Sequence, residues 1–436
     1  MKKLIIFFFA CILSATLAAD EAVLIDKASV DFRFGADLRL RQEAFDNIPI
    51  ISSGVTRGGN NNYFRVRPRI WTGIDFNEIN TSFDIRLANE FRHKNVGQES
   101  YEFPDELIFD NVYFTFSDLF GDGSTLRIGR QDVVLGTGRL FLDGTPKDGS
   151  RSFYFDGVRL SLPLAEKRML DIFGFYTQCE DVLAIGNENR DITGYAGGYN
   201  SMDEASAGAF YSDKTLEDFE FGAYYVWKHD TAWRNAQGVR QSGEDIHTVG
   251  FYLKPKFSNS ISADFELAYQ YGESTNYDRE GLFACGGIKY TIDEDARFYV
   301  SANAIYISGD DSDTATERED FNILFGRYPW ISELMIFAYD ADGVGYWNNL
   351  IQCYLETGYT FENKHNFKLT LGPLFAEEKN GAGEGSNRGW LGTMKYSFPL
   401  FDNIDCYVLG EILDPGDYYN SGKVAYFLRW EIMLKF

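Results

Sequence analysis

The amino-acid sequence predicts an all-β protein, a transmembrane antiparallel β-barrel of about 18 strands, and three observations support this prediction. Segments in which apolar and polar residues alternate recur along the whole chain, as in strands with two different faces. The connections between these segments are tight after every second strand and mostly longer elsewhere. The last segment carries an apolar or aromatic residue at every second position from Val424 to Phe436. Short turns, long loops and alternation together are the pattern of outer-membrane barrels.

The alternating segments give the order of the predicted strands. Strands are predicted near 29–45, 60–77, 80–94, 108–118, 124–132, 153–162, 168–179, 203–213, 219–230, 244–256, 260–273, 279–291, 295–308, 347–361, 365–375, 386–398, 402–413 and 423–436. Both ends of the barrel chain fall on the rim with short turns, so we expect short periplasmic turns and long extracellular loops. Pro68 lies inside the second predicted strand, where we expect a β-bulge because a closed barrel has no edge to hold a proline.

The first residues of the chain predict export. A basic start at Lys2 and Lys3 precedes an apolar run from Leu4 to Leu13 and small residues up to Ala19. This is the pattern of a secretory signal peptide over residues 1–19, and the apolar run is too short to span a bilayer. We therefore expect residues 20–436 to form a single β-barrel domain in the bacterial outer membrane, in contact with its lipid. The terminal Phe436 resembles the signal by which the barrel-assembly machinery recognises its substrates.

Composition excludes several other classes of function. Aromatic residues make up 17% of the chain, and 42 glycines stand against 10 prolines, a mixture that favours strands. A net charge of −24 argues against nucleic acid as a partner. The four histidines are isolated and lack metal-ligand spacing, and no nucleophile or nucleotide-loop motif is present. We therefore expect no enzyme, no metal site and no cofactor.

Charge on the inner face is the most specific signal for function. In the stretch from Phe64 to Ile70, each residue between the apolar positions is an arginine. Extending this alternation over the first three strands predicts an inner face with eight arginines and four acids, and later strands add further charges. Either these arginines form a ladder that attracts an anionic solute, or they brace inward carboxylates without a transport role. The inward charges are Arg33, Asp37, Arg39, Arg41, Arg65, Arg67, Arg69, Asp75, Asp84, Arg86, Glu90, Arg92, Arg127, Arg159, Arg429, Glu431 and Lys435.

Three segments resemble the alginate export family of outer-membrane porins. They are DELIFDNVYFTF at 105–116, LRIGRQDVVLGTGRL at 126–140 and RSFYFDGVRL at 151–160. The resemblance implies a monomeric 18-stranded barrel with an electropositive pore for an anionic polysaccharide. It implies that glycines shape a loop that folds inward between the fifth and sixth strands, and that charged residues near this loop constrict the pore. These are the glycines Gly129, Gly136 and Gly157, and the constriction candidates Arg65, Arg67, Arg69, Arg130, Arg139, Arg151 and Asp156. Gln131, in the same motif, is expected to line the pore.

The sequence thus predicts an outer-membrane channel that passes anionic or polar carbohydrate by passive diffusion. One alternative is a general, weakly selective porin of the same fold. Another, of a different class, is an exported soluble β-protein that binds or cleaves polysaccharide.

Overall fold

The computed structural model describes residues 30–49, 56–57, 61–94, 106–121, 123–143, 154–178, 183–186, 202–234, 240–292, 297–311, 313–326, 330–338, 348–379 and 383–436. The predicted signal peptide lies outside these residues. The chain forms a closed antiparallel barrel of 18 strands. In chain order they are β1 Val30–Asp46, β2 Asn61–Phe76, β3 Thr81–Lys94, β4 Glu106–Ser117, β5 Thr125–Gln131, β6 Phe155–Ala165, β7 Arg168–Thr177, β8 Glu204–Leu216, β9 Phe219–Asp230, β10 Glu244–Pro255, β11 Ile261–Ser274, β12 Asp278–Thr291, β13 Phe298–Ile307, β14 Leu350–Thr360, β15 Asn366–Phe375, β16 Asn387–Phe401, β17 Ile404–Asp414 and β18 Ala425–Lys435.

The remaining elements are short and lie in the connections. The 3₁₀ turn Asn77–Ile79 joins β2 to β3, and the helix α1, Glu333–Ala338, lies between β13 and β14. Within the part of the chain that the structure describes, no helix has the length and apolar character needed to cross a membrane. The short strands are Ile48–Pro49, Thr56–Arg57, Val133–Val134, Phe141–Asp143, Ala184–Gly186, Trp233–Arg234, Arg240–Gln241, Glu317–Arg318 and Phe325–Gly326.

Closure of the barrel satisfies the backbone of every wall strand. Each strand pairs with the next along the chain, and β1 pairs with β18 through a register that runs from Asp37 opposite Lys435 to Asp46 opposite Tyr426. A closed sheet leaves no strand edge in the lipid, where an unpaired backbone group costs several kcal/mol. The predicted fold class and strand count are confirmed, and most strand ends lie within three residues of their predicted positions.

The two faces of the strands differ as the alternation predicts. On β1, Arg39 and Arg41 are buried, whereas Phe32 and Phe34 are exposed at 61% and 55%. The same holds around the barrel, where the exposed side chains of the wall strands include Ile128, Val158 and Val249. The apolar outer surface fits a lipid environment, and the polar side chains point inward.

Prolines disturb the sheet near its periplasmic ends and not at Pro68. The expected bulge at Pro68 is wrong, because Leu38 opposes Pro68 and the register with β1 continues unchanged. On the other side, the pairing of β2 with β3 omits Arg67 and Pro68 and resumes in the same register, so the missing N–H only interrupts the ladder. Register shifts occur instead next to Pro163 and Pro399, close to the turns, where few ladder bonds follow.

Two connections fold into the barrel and meet there. They are the β5–β6 connection, described at residues 132–143 and 154, and the β13–β14 connection, described at residues 308–311, 313–326, 330–338 and 348–349. Phe141–Leu142 of the first pairs in parallel with Phe325–Gly326 of the second. The Phe141 ring lies 4.9 Å from the rings of both Phe155 and Phe325, centroid to centroid, and 4.8 Å from that of Phe173. We call these rings the aromatic core, in which Phe141 and Phe325 come from the two connections and Phe155 and Phe173 from β6 and β7.

Candidate functional site

Arginines from three neighbouring strands form one cluster on the inner wall. Arg39 of β1 lies directly opposite Arg67 of β2, and Arg41 lies opposite Arg65. Like charges at opposed positions repel each other, so this arrangement needs carboxylates nearby. We call the cluster the basic wall, and its members are Arg39, Arg41, Arg65, Arg67, Arg69 and Arg429.

Glu43 is the carboxylate on which the basic wall converges. Its Oε1 lies 3.2 Å from Arg41 Nη1, 3.0 Å from Arg65 Nη1 and 2.6 Å from Arg429 Nη2. Tyr63 donates its hydroxyl to the other oxygen, Oε2, at 2.7 Å. Glu43 is the next inward position after Arg41, so the alternation on β1 could have identified it, although the sequence analysis did not.

Three further carboxylates complete the cluster. Glu431 forms an ion pair with Arg41 at 2.6 Å, and Asp37 forms one with Arg69. Glu333, the first residue of α1, pairs with Arg429. Arg41, Arg65, Arg69 and Arg429 thus each form at least one ion pair with a described carboxylate of this cluster.

The helix α1 is fixed to the barrel by a buried carboxylate opposite its start. Glu411 of β17 accepts hydrogen bonds from Ser332 Oγ at 2.6 Å and from the backbone N–H of Leu334 at 2.9 Å. Ser332 in turn accepts from the backbone N–H of Met335, as an N-cap residue does. The helix therefore lies against the basic wall, a contact between distant parts of the chain that the sequence analysis missed.

The structure places the predicted ladder on the inner face but largely out of reach of solute. Arg39, Arg41, Arg65, Arg67 and Arg69 are all buried, and the Arg67 side chain has no exposed surface. Arg33, by contrast, is half exposed near the periplasmic end and pairs with Asp75 at 2.7 Å and Asp84 at 3.0 Å.

The motif that carried the family resemblance forms a cross-strand pair. Arg130 of β5 lies opposite Asp156 of β6, and their side chains form two hydrogen bonds of 2.8 Å. The guanidinium also lies 3.5 Å above the ring of Tyr154. Gly129 has φ +125°, and a Cβ there would lie 2.2 Å from the Val112 carbonyl oxygen, so no larger residue fits. Two charged residues and a positive-φ glycine therefore fix the point where the β5–β6 connection enters the barrel.

Of the other predicted residues, some have described partners and some lie outside the described part of the chain. Arg86 pairs with Asp110 at 2.8 Å and with Asp132 at 2.9 Å, and burial raises the pKa of the Asp132 carboxyl. Gln131 is buried and donates to the Gly129 carbonyl at 3.2 Å. The Arg92 side chain and the whole of Arg151 lie outside the described residues, so those two predictions stay untested.

The described part of the β5–β6 connection carries one arginine into the lumen. Arg139 is 26% exposed and pairs with Asp264 of β11 at 2.5 Å. Thr137 donates to Glu266, the next inward residue of β11, at 2.5 Å. The two acids on β11 thus hold this connection against the opposite side of the barrel.

Two inward arginines of the periplasmic half have different partners. Arg159 of β6 lies beside Arg127 of β5 and pairs with Asp171 at 2.9 Å. Arg127 instead lies 4.4 Å from the centre of the Tyr113 ring.

Comparisons with known proteins agree with this architecture. A family model described as "Alginate export" matches residues 30–372. Three Pseudomonas aeruginosa crystal structures share the fold. OpdL has a TM-score of 0.58 at 12% identity over 93% of this chain and 99% of its own, and OpdQ has 0.58 at 11% over 93% and 98%. The outer membrane protein OprD has 0.55 at 10% over 92% and 93%. Among curated protein sequences, none is significantly similar to this chain.

Proposed function

Because this chain belongs to the alginate export family and forms an outer-membrane β-barrel channel, we propose that it passes anionic or polar carbohydrate by passive diffusion. The family and the fold support a channel, and we propose that the protein is not an enzyme. We further propose that the channel works as a monomer, is inserted by the barrel-assembly machinery, and uses its inner arginines to favour anions.

The clustering of arginines on the basic wall is the observation that best supports this proposal. Six arginines from three neighbouring strands lie on one side of the lumen, in a chain whose net charge is −24. Charges next to a low-dielectric wall are screened less than charges in water, so they attract an anion in the lumen from several ångströms away. The buried arginines act through this field, whereas partly exposed ones such as Arg139 can touch the solute.

Reversal potentials across a planar bilayer test the proposal. We expect chloride to carry more current than potassium through the full-length protein, and the R65Q/R67Q/R69Q variant to lose much of this preference. The R65K/R67K/R69K variant keeps the charge and should keep the preference. A matched control, R168Q/K214Q/R297Q, removes the same charge from the periplasmic rim and should remain anion-selective. Clear cation selectivity of the unmodified channel would contradict the proposal.

A general, weakly selective porin is the second candidate function. It is favoured by the pairing of the ladder with carboxylates, since Arg69 pairs with Asp37 and Arg41 with Glu431. If these pairs only brace the wall, the R65Q/R67Q/R69Q variant will be less stable, yet its reversal potential will match that of the unmodified channel.

A further inference from the structure

Basic side chains line the periplasmic half of the lumen in two kinds of environment. Some form ion pairs with carboxylates, as Arg159 does with Asp171. Three others lie over tyrosine rings, and among the described residues no carboxylate forms an ion pair with any of them. These three are Arg127 over Tyr113 at 4.4 Å, Lys289 over Tyr299 at 4.0 Å and Lys395 over Tyr407 at 4.2 Å, measured to the ring centres.

The sheet places two of these cations beside a paired one. Arg127 lies opposite Arg159, and Lys395 lies opposite Lys368 of β15, whose Nζ is 2.6 Å from Glu356. For Lys289 the counterpart is Lys254, two strands away on β10, which lies 5.1 Å from the centre of the Tyr252 ring and pairs with Glu220 at 3.3 Å. The two sets therefore differ in whether a carboxylate forms an ion pair with the cation.

Two of the three tyrosines are themselves held in place. The Tyr299 ring lies across Gly358, where a Cβ would come within 2.4 Å of it, and the Tyr299 hydroxyl donates to Glu356 at 2.8 Å. Tyr407 donates to Glu431 at 3.1 Å. A cation over an aromatic face is stabilised by the ring but keeps its full charge and its N–H donors, so it can still bind an anion.

We propose that Arg127, Lys289 and Lys395 form a collar of binding sites for the carboxylates of an acidic saccharide at the periplasmic side of the lumen. This inference rests on the proposed function, because it names the groups that a passing acidic sugar would touch. The three cations stand on β5, β12 and β16, spread around the wall, so an extended chain can touch them in turn. Each site offers a charged donor for a carboxylate and a tyrosine beside it for sugar hydroxyls or ring C–H groups.

Block of single-channel current by a short oligogalacturonate tests the collar. We expect the R127Q/K289Q/K395Q variant to bind the oligomer roughly 30-fold more weakly when it is added on the periplasmic side, about threefold for each lost cation. The matched control, R159Q/K254Q/K368Q, removes the same charge from the paired set and should weaken block by less than about fivefold. A neutral malto-oligosaccharide of equal length should block all three proteins alike.

The outcomes separate the collar from the proposed function. Equal loss of block in the two triple variants would overturn the collar, because charge number alone would then explain the effect. Unchanged block in R127Q/K289Q/K395Q would overturn it as well, whereas anion selectivity of the unmodified channel would still support the proposed function. If the unmodified channel prefers cations and oligogalacturonate does not block it, both proposals fail. Single substitutions K289Q and K254Q provide the same comparison if either triple variant does not fold.

Discussion

Glu43 offers the sharpest test of how the inner wall is held together. The Glu43→Gln substitution keeps the size of the side chain and removes the one negative charge that Arg41, Arg65 and Arg429 share at 2.6–3.2 Å. Glu43 is buried, so water cannot replace the lost charge. We expect the variant to fold into a less stable barrel with a more positive lumen.

The geometry sets the size of both effects. At an effective dielectric constant near 20, each contact to Glu43 contributes about 5 kcal/mol of Coulomb energy before desolvation. Removing one partner of a buried ion pair costs about 3–5 kcal/mol in practice. The added positive charge, about 10 Å from a solute ion, stabilises an anion by about 0.3 kcal/mol at an ionic strength of ~0.01 M, or roughly 1.6-fold in permeability. At an ionic strength of ~1 M this gain should vanish.

Two assays on the same protein check these numbers. The temperature at which the barrel loses its faster gel mobility reports stability, and the reversal potential at low and high salt reports selectivity. Glu356→Gln is the matched control, because Glu356 pairs with Lys368 in the periplasmic half and has no part in the basic wall. The reasoning is wrong if E43Q is as stable as E356Q, or if E43Q lowers anion preference at low salt.

Three other substitutions probe separate parts of the barrel. Gly129→Ala should destabilise the barrel by at least about 1–3 kcal/mol, seen as a lower midpoint of the gel shift, because φ is +125° and the new Cβ meets the Val112 carbonyl. Phe141→Ala should cost about 3–5 kcal/mol in the aromatic core and raise single-channel conductance by loosening the two inward connections. Asp320→Asn should speed proteolysis of the β13–β14 connection by removing the partner of Arg318. Burial opposes the charge of Asp320, but Arg318 keeps its pKa below the usual value. Because the pKa of Asp320 in the folded protein lies below the unfolded value of about 3.9, its ion pair stabilises the connection at any pH above that value and is lost only in stronger acid. Cleavage of the unmodified protein should therefore not change between about pH 5 and 8.

Each of these substitutions has a control on the same molecule. Gly410→Ala adds a Cβ with nothing within 4 Å and should leave the gel-shift midpoint unchanged. Phe120→Ala removes an exposed ring from a periplasmic turn and should not alter conductance. Asp313→Asn changes an exposed carboxylate of the β13–β14 connection and should not speed its cleavage. Equal effects of a substitution and its control would contradict the contact assigned to it.

The strands were predictable because their cause is local. Alternation fixes which side chains face lipid, and turn residues fix where each strand ends, so all 18 strands follow from short windows of sequence. Pro68 marks the limit of this reasoning. From the local sequence we expect a β-bulge at a proline inside a strand. However, β2 pairs with β1 along its whole length, and this pairing keeps the register. The missing N–H of Pro68 interrupts only the ladder with β3.

The surroundings of the arginines were not predictable in the same way. Alternation places Arg67 on the inner face, but the ion pairs of the basic wall join parts of the chain that lie far apart in sequence. The contact of Arg429 with Glu333 spans 96 positions of the chain, and that of Arg41 with Glu431 spans 390. Neither leaves a periodic signal. The Gly129-Arg130 motif was recognisable in the sequence. Its pairing with Asp156 was not, because it depends on the register between β5 and β6.

Pairing, more than the number of arginines, decides which cations can select a solute. A guanidinium bound to a buried carboxylate contributes to the field of the lumen only through the excess charge of its cluster. A cation over a tyrosine keeps its charge and its N–H donors, so in our proposal Arg127, Lys289 and Lys395 present charge that a passing anion can touch. In this proposal the buried arginines act through the field of the lumen, and the solute touches the collar residues and partly exposed arginines such as Arg139. Selectivity for a small ion and affinity for an acidic sugar therefore depend on different residues, and they should respond independently to the two sets of substitutions.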